Sequence, residues 1–153
     1  MTMIAIAMFA VLAVIALLHL SWALGSHWPA RNDRDLLALV VVSANRDRMP
    51  GVAATLLAAL AIFGAGVVGL AIGGVIVVPW PDDWSTLAGF VVAAVFFARG
   101  LAAYLPAWRS RFSLQPFAHL DQTYYGPLCL ILAFGFTLLL FARVGGMDDA
   151  SLS

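Results

Sequence analysis

"MIAIAMFAVLAVIALLHLSWALG", residues 3–25, carries no formal charge and decides what solvent the chain folds in. A helix rises 1.5 Å per residue, so about 20 apolar residues cross a hydrocarbon core of roughly 30 Å. The stretch sits where a secretory signal would. It lacks a basic leader, its apolar part is too long, and no small-x-small site closes it, so it is expected to remain in the mature protein.

Three further runs match it, at 52–78, 85–105 and about 124–142. In the second, Gly73-Gly74 and Pro79 predict that the regular helix stops early. Composition agrees with four spans: 63% of the 153 residues are hydrophobic and 10% charged, at a mean hydropathy of +0.99. Soluble domains carry about 25% charged residues. No water-soluble core of this length could hide so much apolar surface. The expected fold is all-α, a polytopic membrane protein forming one four-transmembrane-helix bundle over residues 1–153, with a short irregular or interfacial segment in the first loop.

The remaining composition narrows the function. All eight basic residues are Arg and all eight acidic ones Asp, which reads as genome composition bias. Net charge is zero and no basic stretch is interleaved with exposed aromatics, so nucleic acid is not an expected partner. A single cysteine, Cys129, excludes an internal disulfide and a CxxC pair.

Aromatic residues check the span count independently. Trp22, Trp28, Trp80, Trp84, Trp108, Tyr104, Tyr124 and Tyr125 all fall at or just outside run ends. Amphipathic rings favour the headgroup level. Orientation follows from the arginines. Arg31, Arg34, Arg46 and Arg48 lie in loop one and Arg109 and Arg111 in loop three, whereas the opposite side has Arg143 beside Asp82, Asp83, Asp148 and Asp149. The positive-inside bias places loops one and three in the cytoplasm and both termini outside, in a bacterial inner membrane.

Loop one holds "LLALVVV", too short to span. Its β-branched run followed by "SANRD" suits a short strand or hairpin at the interface, and a one- to two-turn interfacial helix is the rival. In span two, Ala61, Ala65, Gly69 and Gly73 recur every four residues. Such a stripe lets helices approach closely in lipid. Packing inside the same bundle is the simpler use of it; a homo-oligomer is the other.

Polar residues inside spans are where function hides. His19 lies near the end of span one, with Trp22 three residues on and so on the same face. Arg99 precedes Pro106 by seven residues, roughly 10 Å into span three. Span four starts on that side, bringing His119, Asp121, Tyr124, Tyr125 and Cys129 to similar depth. Three helix ends thus deliver nearly every titratable side chain to one membrane face. The candidate pocket is His19, Trp22, Arg99, Asp121, Tyr124, Tyr125 and Cys129.

Each member also has a plain reading. An Arg at a helix centre costs about 2.5–3.5 kcal/mol on insertion scales, so Arg99 calls for a partner, and Asp121 is the acid within reach. His19 is more simply a neutral ring bonded to a carbonyl, and Cys129 a small hydrophobe. His19, His27 and His119 match no zinc spacing, so no metal is expected. Asp121 is placed to cap the helix of span four. Pro127 would then leave the Thr123 carbonyl without its donor and kink the helix.

"FAHLDQTYYGPLCL" resembles the signature F-x-x-L-D-x-x-x-Y-[SG]-P-L-C-L of a family of small bacterial membrane proteins catalogued as domain of unknown function 3995. "LHLSWALGSHWP" resembles its first-helix signature at His19, Trp22, Gly25 and Trp28. "FARGLAAY" resembles its third-helix region less closely, with alanine where a polar residue often stands, and loop one departs most. The resemblance spans essentially the whole chain. It implies four spans and no established activity. Phe117, Leu120, Asp121, Tyr125, Pro127, Leu128 and Cys129 carry over as signature positions, not as catalytic ones.

Two functions follow from these residues. The first is a non-enzymatic module in the lipid bilayer, binding a lipid, quinone or partner protein through the cytoplasmic-side pocket. The second is a small intramembrane enzyme doing acid/base chemistry on a hydrophobic substrate through His19, Asp121 or Tyr125. An oligomeric transporter is weaker, since no span is amphipathic enough to line a wet pore. The sequence names no cofactor.

Overall fold

The computed structural model describes residues 1–40, 50–113 and 115–151. Its helices are α1 (Thr2–Ala23), α2 (Asp33–Val40), α3 (Val52–Ile72), α4 (Asp82–Ala102), α5 (Pro106–Arg111), α6 (Phe117–Leu120) and α7 (Gly126–Ser151), with a π-helical turn at Asp121–Tyr125 joining the last two. There is no strand among the described residues. Four segments are long and apolar enough to cross a membrane: Thr2–Ala23, Val52–Ile72, Asp82–Ala102 and Phe117–Gly145. No more than 33% of any of them is buried inside the molecule. The outward faces carry Met3, Val14, Leu17, Leu57, Leu60, Val91, Val95, Ile131 and Phe141. Water would penalise that surface by about 25 cal/mol per Å², so lipid covers it. This is a multi-pass membrane protein.

Two antiparallel pairs, α1 with α3 and α4 with α7, make up the bundle, joined by contacts of α3 with α4 and of α7 with α1 and α3. Their shared core is Ala5, Met8, Leu12, Ala65, Ile72, Leu132, Phe136, Leu139 and Leu140. Phe136 is fully enclosed and stacks 6.1 Å from Phe96. Ala65 and Gly69 are buried in this core, Gly73 lies against Ala5, and Ala61 is exposed. Small residues there let α3 approach α1 and α7 closely.

The helices stop where the backbone tells them to. Gly25 (φ 90°) and Gly74 (φ 68°) adopt the left-handed conformation that a side chain would disfavour. Each closes a Schellman motif: Ser26 N–H donates to the Ser21 carbonyl, and Val75 N–H to the Leu70 carbonyl. Span two therefore ends as a helix at Ile72, well short of residue 78.

In loop one, residues 33–40 are helical, so the strand or hairpin expected there gives way to the rival reading. The cause is an asparagine N-cap. Asn32 Oδ1 accepts from Asp35 N–H at 2.9 Å, and the Asn32 side-chain amide donates to the Asp35 carboxylate. Leu36 of α2 is fully buried, and α2 packs on α6. Val41, Val42 and "SANRD" lie outside the described residues.

Candidate functional site

The site is built where α4 ends and the fourth span begins. That span is continuous from Phe117, so Asp121 lies inside it rather than capping it, which corrects the expected start near residue 124. The kink expected at Pro127 takes the form of the π turn. Pro127 has no N–H, and the helix widens by one residue ahead of it, with Gly126 N–H donating to the Asp121 carbonyl. A carbonyl of this turn is also used laterally: Tyr104 Oη donates to Gln122 O at 3.1 Å.

The widened turn presents the Asp121 carboxylate to α4 and α5. Asp121 is only 2% exposed. Its Oδ1 accepts from Arg99 Nη2 at 2.5 Å and its Oδ2 from Trp108 Nε1 at 3.0 Å. The Arg99 guanidinium lies 5.1 Å above the Trp108 ring. Three residues therefore interlock: carboxylate with cation, cation with ring, ring N–H with carboxylate. In low dielectric each contact strengthens the others. Arg99 Nη1 is buried and has no partner.

Close approach of the backbones makes this geometry possible. A Cβ on Gly100 would stand 2.7 Å from the Leu130 side chain, and one on Gly126 would stand 2.9 Å from Ala103 Cβ. Only glycine fits both sides of this seam.

The other sequence candidates are placed as follows. Tyr125 Oη donates to the Leu39 carbonyl of α2 at 3.1 Å, and its ring lies 6.2 Å from Phe117. Cys129 is a free, half-buried thiol one turn beyond. Tyr124 points outward, 61% exposed. His19 Nδ1 bonds the Ile15 carbonyl of its own helix at 2.8 Å, and its ring lies 4.9 Å from Trp22. Trp22 Nε1 donates to the Trp28 carbonyl at 2.7 Å, folding the chain back over the end of α1. The hydrogen bonds and the ring pair of His19 and Trp22 thus stay within α1 and its exit. Among the described residues no His, Cys, Asp and Glu cluster could hold a metal ion.

Sequence reasoning missed Trp108, read there only as an interfacial anchor. It also missed a second pair at the opposite end. Arg143 of α7 bonds Asp82 of α4 through Nη2 and the Ala71 carbonyl of α3 through Nη1. The signal was present: Arg143 is the lone basic residue among four aspartates on that side. Each of α4 and the fourth span therefore carries Asp near its N-terminal end and Arg near its C-terminal end. That arrangement suits both helix dipoles, and it staples the antiparallel pair at both ends.

A groove of about 420 Å³ runs between α4 and α7, lined by Phe90, Ala93, Phe97, Leu130, Phe134 and Thr137 among others. None of the seven candidate residues lines it. Arg99 follows Phe97 by two residues and so points about 200° away around α4. The groove and the Arg99 site occupy opposite flanks of the seam.

Residues 12–136 match the family described as "Protein of unknown function (DUF3995)". The chain belongs to this family. No curated protein and no solved structure matches it. The DUF3995 region runs from the middle of α1 to the middle of α7. It therefore contains the whole Arg99–Trp108–Asp121 arrangement, whereas Arg143 lies beyond it.

Proposed function

We propose that the protein is a non-enzymatic membrane module that holds a lipid, quinone or partner protein at the polar end of the bundle, near the ends of α1 and α4 and the start of the fourth span. One observation carries the reading: the carboxylate that a general base would need is committed to the protein, 2% exposed and with a donor on each oxygen. Both Asp121 oxygens have donors, Tyr125 Oη donates to a carbonyl, and His19 Nδ1 bonds its own helix. A general base needs a lone pair within hydrogen-bond reach of a substrate proton. A binding site needs only donors that face outward, and the exposed Arg109 and Arg111 supply them. Native mass spectrometry of protein extracted in mild detergent is expected to show a lipid or quinone adduct or a copurifying protein. A bare polypeptide mass with none of these would sink the proposal.

The membrane is read as a bacterial inner membrane with loops one and three cytoplasmic and both termini outside, supported by the arginine bias of those loops. Asp83 and Ser110 are both exposed and lie at opposite ends of the bundle. An impermeant thiol reagent added to intact cells is expected to label Asp83→Cys and spare Ser110→Cys. The reverse pattern would invert the orientation.

A further inference from the structure

We infer that the α5 corner of the bundle docks the phosphate of an anionic phospholipid headgroup. This rests on the binding-module reading and names its ligand class. Charge is segregated along the bundle: seven of the eight arginines lie at this end or in the loops that border it, against four of the eight aspartates. At α5 the imbalance is sharper. Arg109 and Arg111 form its last turn, are exposed, and have no carboxylate partner among the described residues. Asp121 is not their counter-ion: it is 2% exposed and paired with Arg99.

What surrounds these cations fits a headgroup. Arg109 is held by Gln122: with the amide oxygen turned towards it, Nε and Nη1 donate at 2.9 and 3.1 Å. The Arg111 guanidinium lies 6.0 Å from the Phe112 ring. Tyr104 and Trp108 flank the corner at the depth where aromatic rings meet headgroups. Guanidinium forks match phosphate oxygens bidentately, which a neutral quinone carbonyl does not require.

The test is lipid competition. The full chain is reconstituted with equal phosphatidylglycerol and phosphatidylcholine, extracted in mild detergent, and its retained lipids are counted by native mass spectrometry. Each arginine near an anionic surface contributes about a five-fold preference, so wild type should favour phosphatidylglycerol by at least about five-fold. Arg109→Gln/Arg111→Gln should abolish that preference. Arg109→Lys/Arg111→Lys, which keeps the charge and reports on folding, should retain part of it, and Arg31→Gln in loop one should leave it intact. Equal retention of the two lipids by wild type overturns the inference but leaves lipid binding standing. Loss of preference in Arg31→Gln overturns it too, by showing a diffuse surface effect. Retention of neither lipid, with no quinone adduct and no copurifying protein, removes the binding-module reading itself.

Discussion

Asp121→Ala is expected to destabilise the protein by about 3–5 kcal/mol, the range for removing one partner of a buried ion pair. The reason is what stays behind. Arg99, with its side chain 28% exposed, keeps its charge near the membrane interior and loses its counter-ion, and Trp108 Nε1 loses its acceptor. Arg99→Ala strands the carboxylate instead, and Asp121 is the more deeply buried of the two. The double substitution removes both stranded charges, so its cost should fall short of the sum of the single ones. Coupling above about 0.5 kcal/mol is expected for residues in contact, and the interlocked geometry puts this pair well above that floor. Trp108→Phe is the control that keeps a ring over Arg99 and removes only the N–H, at about 1.5–3 kcal/mol for a hydrogen bond to a charged group. Reversible unfolding in lipid–detergent micelles measures all four. Additive single effects would mean that Arg99 finds phosphate on its own and that Asp121 does nothing for it.

The pairing was legible because membrane insertion leaves few alternatives. An arginine roughly 10 Å inside a span needs an anion, and Asp121 was the acid that a short loop three could bring to it. Four spans were legible for the same reason, since hydrocarbon tolerates little besides apolar helix. Other features depended on geometry that residue types do not encode. Trp108 has an ordinary interfacial position, and only the turn at Pro106 swings its N–H onto Asp121. The π turn was half legible. Pro127 announced a lost hydrogen bond, but a kink and a widened turn both answer that loss, and the Gly100–Gly126 contact favours the second. Tyr125 was read for its hydroxyl chemistry, yet its partner is a backbone carbonyl in α2. That helix could be foreseen only by preferring the Asn32 N-cap over the β-branched run after it.

Gly126→Ala is expected to destabilise the bundle by about 1–3 kcal/mol, although glycine-to-alanine in a helix ordinarily gains up to about 1 kcal/mol. Gly126 has helical dihedrals (φ −60°, ψ −55°), so its backbone does not demand glycine. Space does. A new methyl would stand 2.9 Å from Ala103 Cβ, 3.0 Å from the Asp121 carbonyl oxygen and 3.4 Å from the Gly100 carbonyl oxygen. Two of those neighbours are backbone, and the third is a Cβ fixed to it, so no rotamer change relieves the clash. Relief needs the π turn to open at Asp121 and α4 to move away from it, and both draw Arg99 off Asp121. Gly64 of α3 is the matched control, since a Cβ there meets nothing within 4 Å. Gly64→Ala should therefore be neutral or mildly stabilising. Combining Gly126→Ala with Arg99→Ala separates the two parts of the loss: if the methyl acts partly by breaking the ion pair, the combined cost falls below the sum. Equal stability of Gly126→Ala and Gly64→Ala would show that the α4–α7 seam has slack, and that close backbone approach is not what holds Asp121 against Arg99.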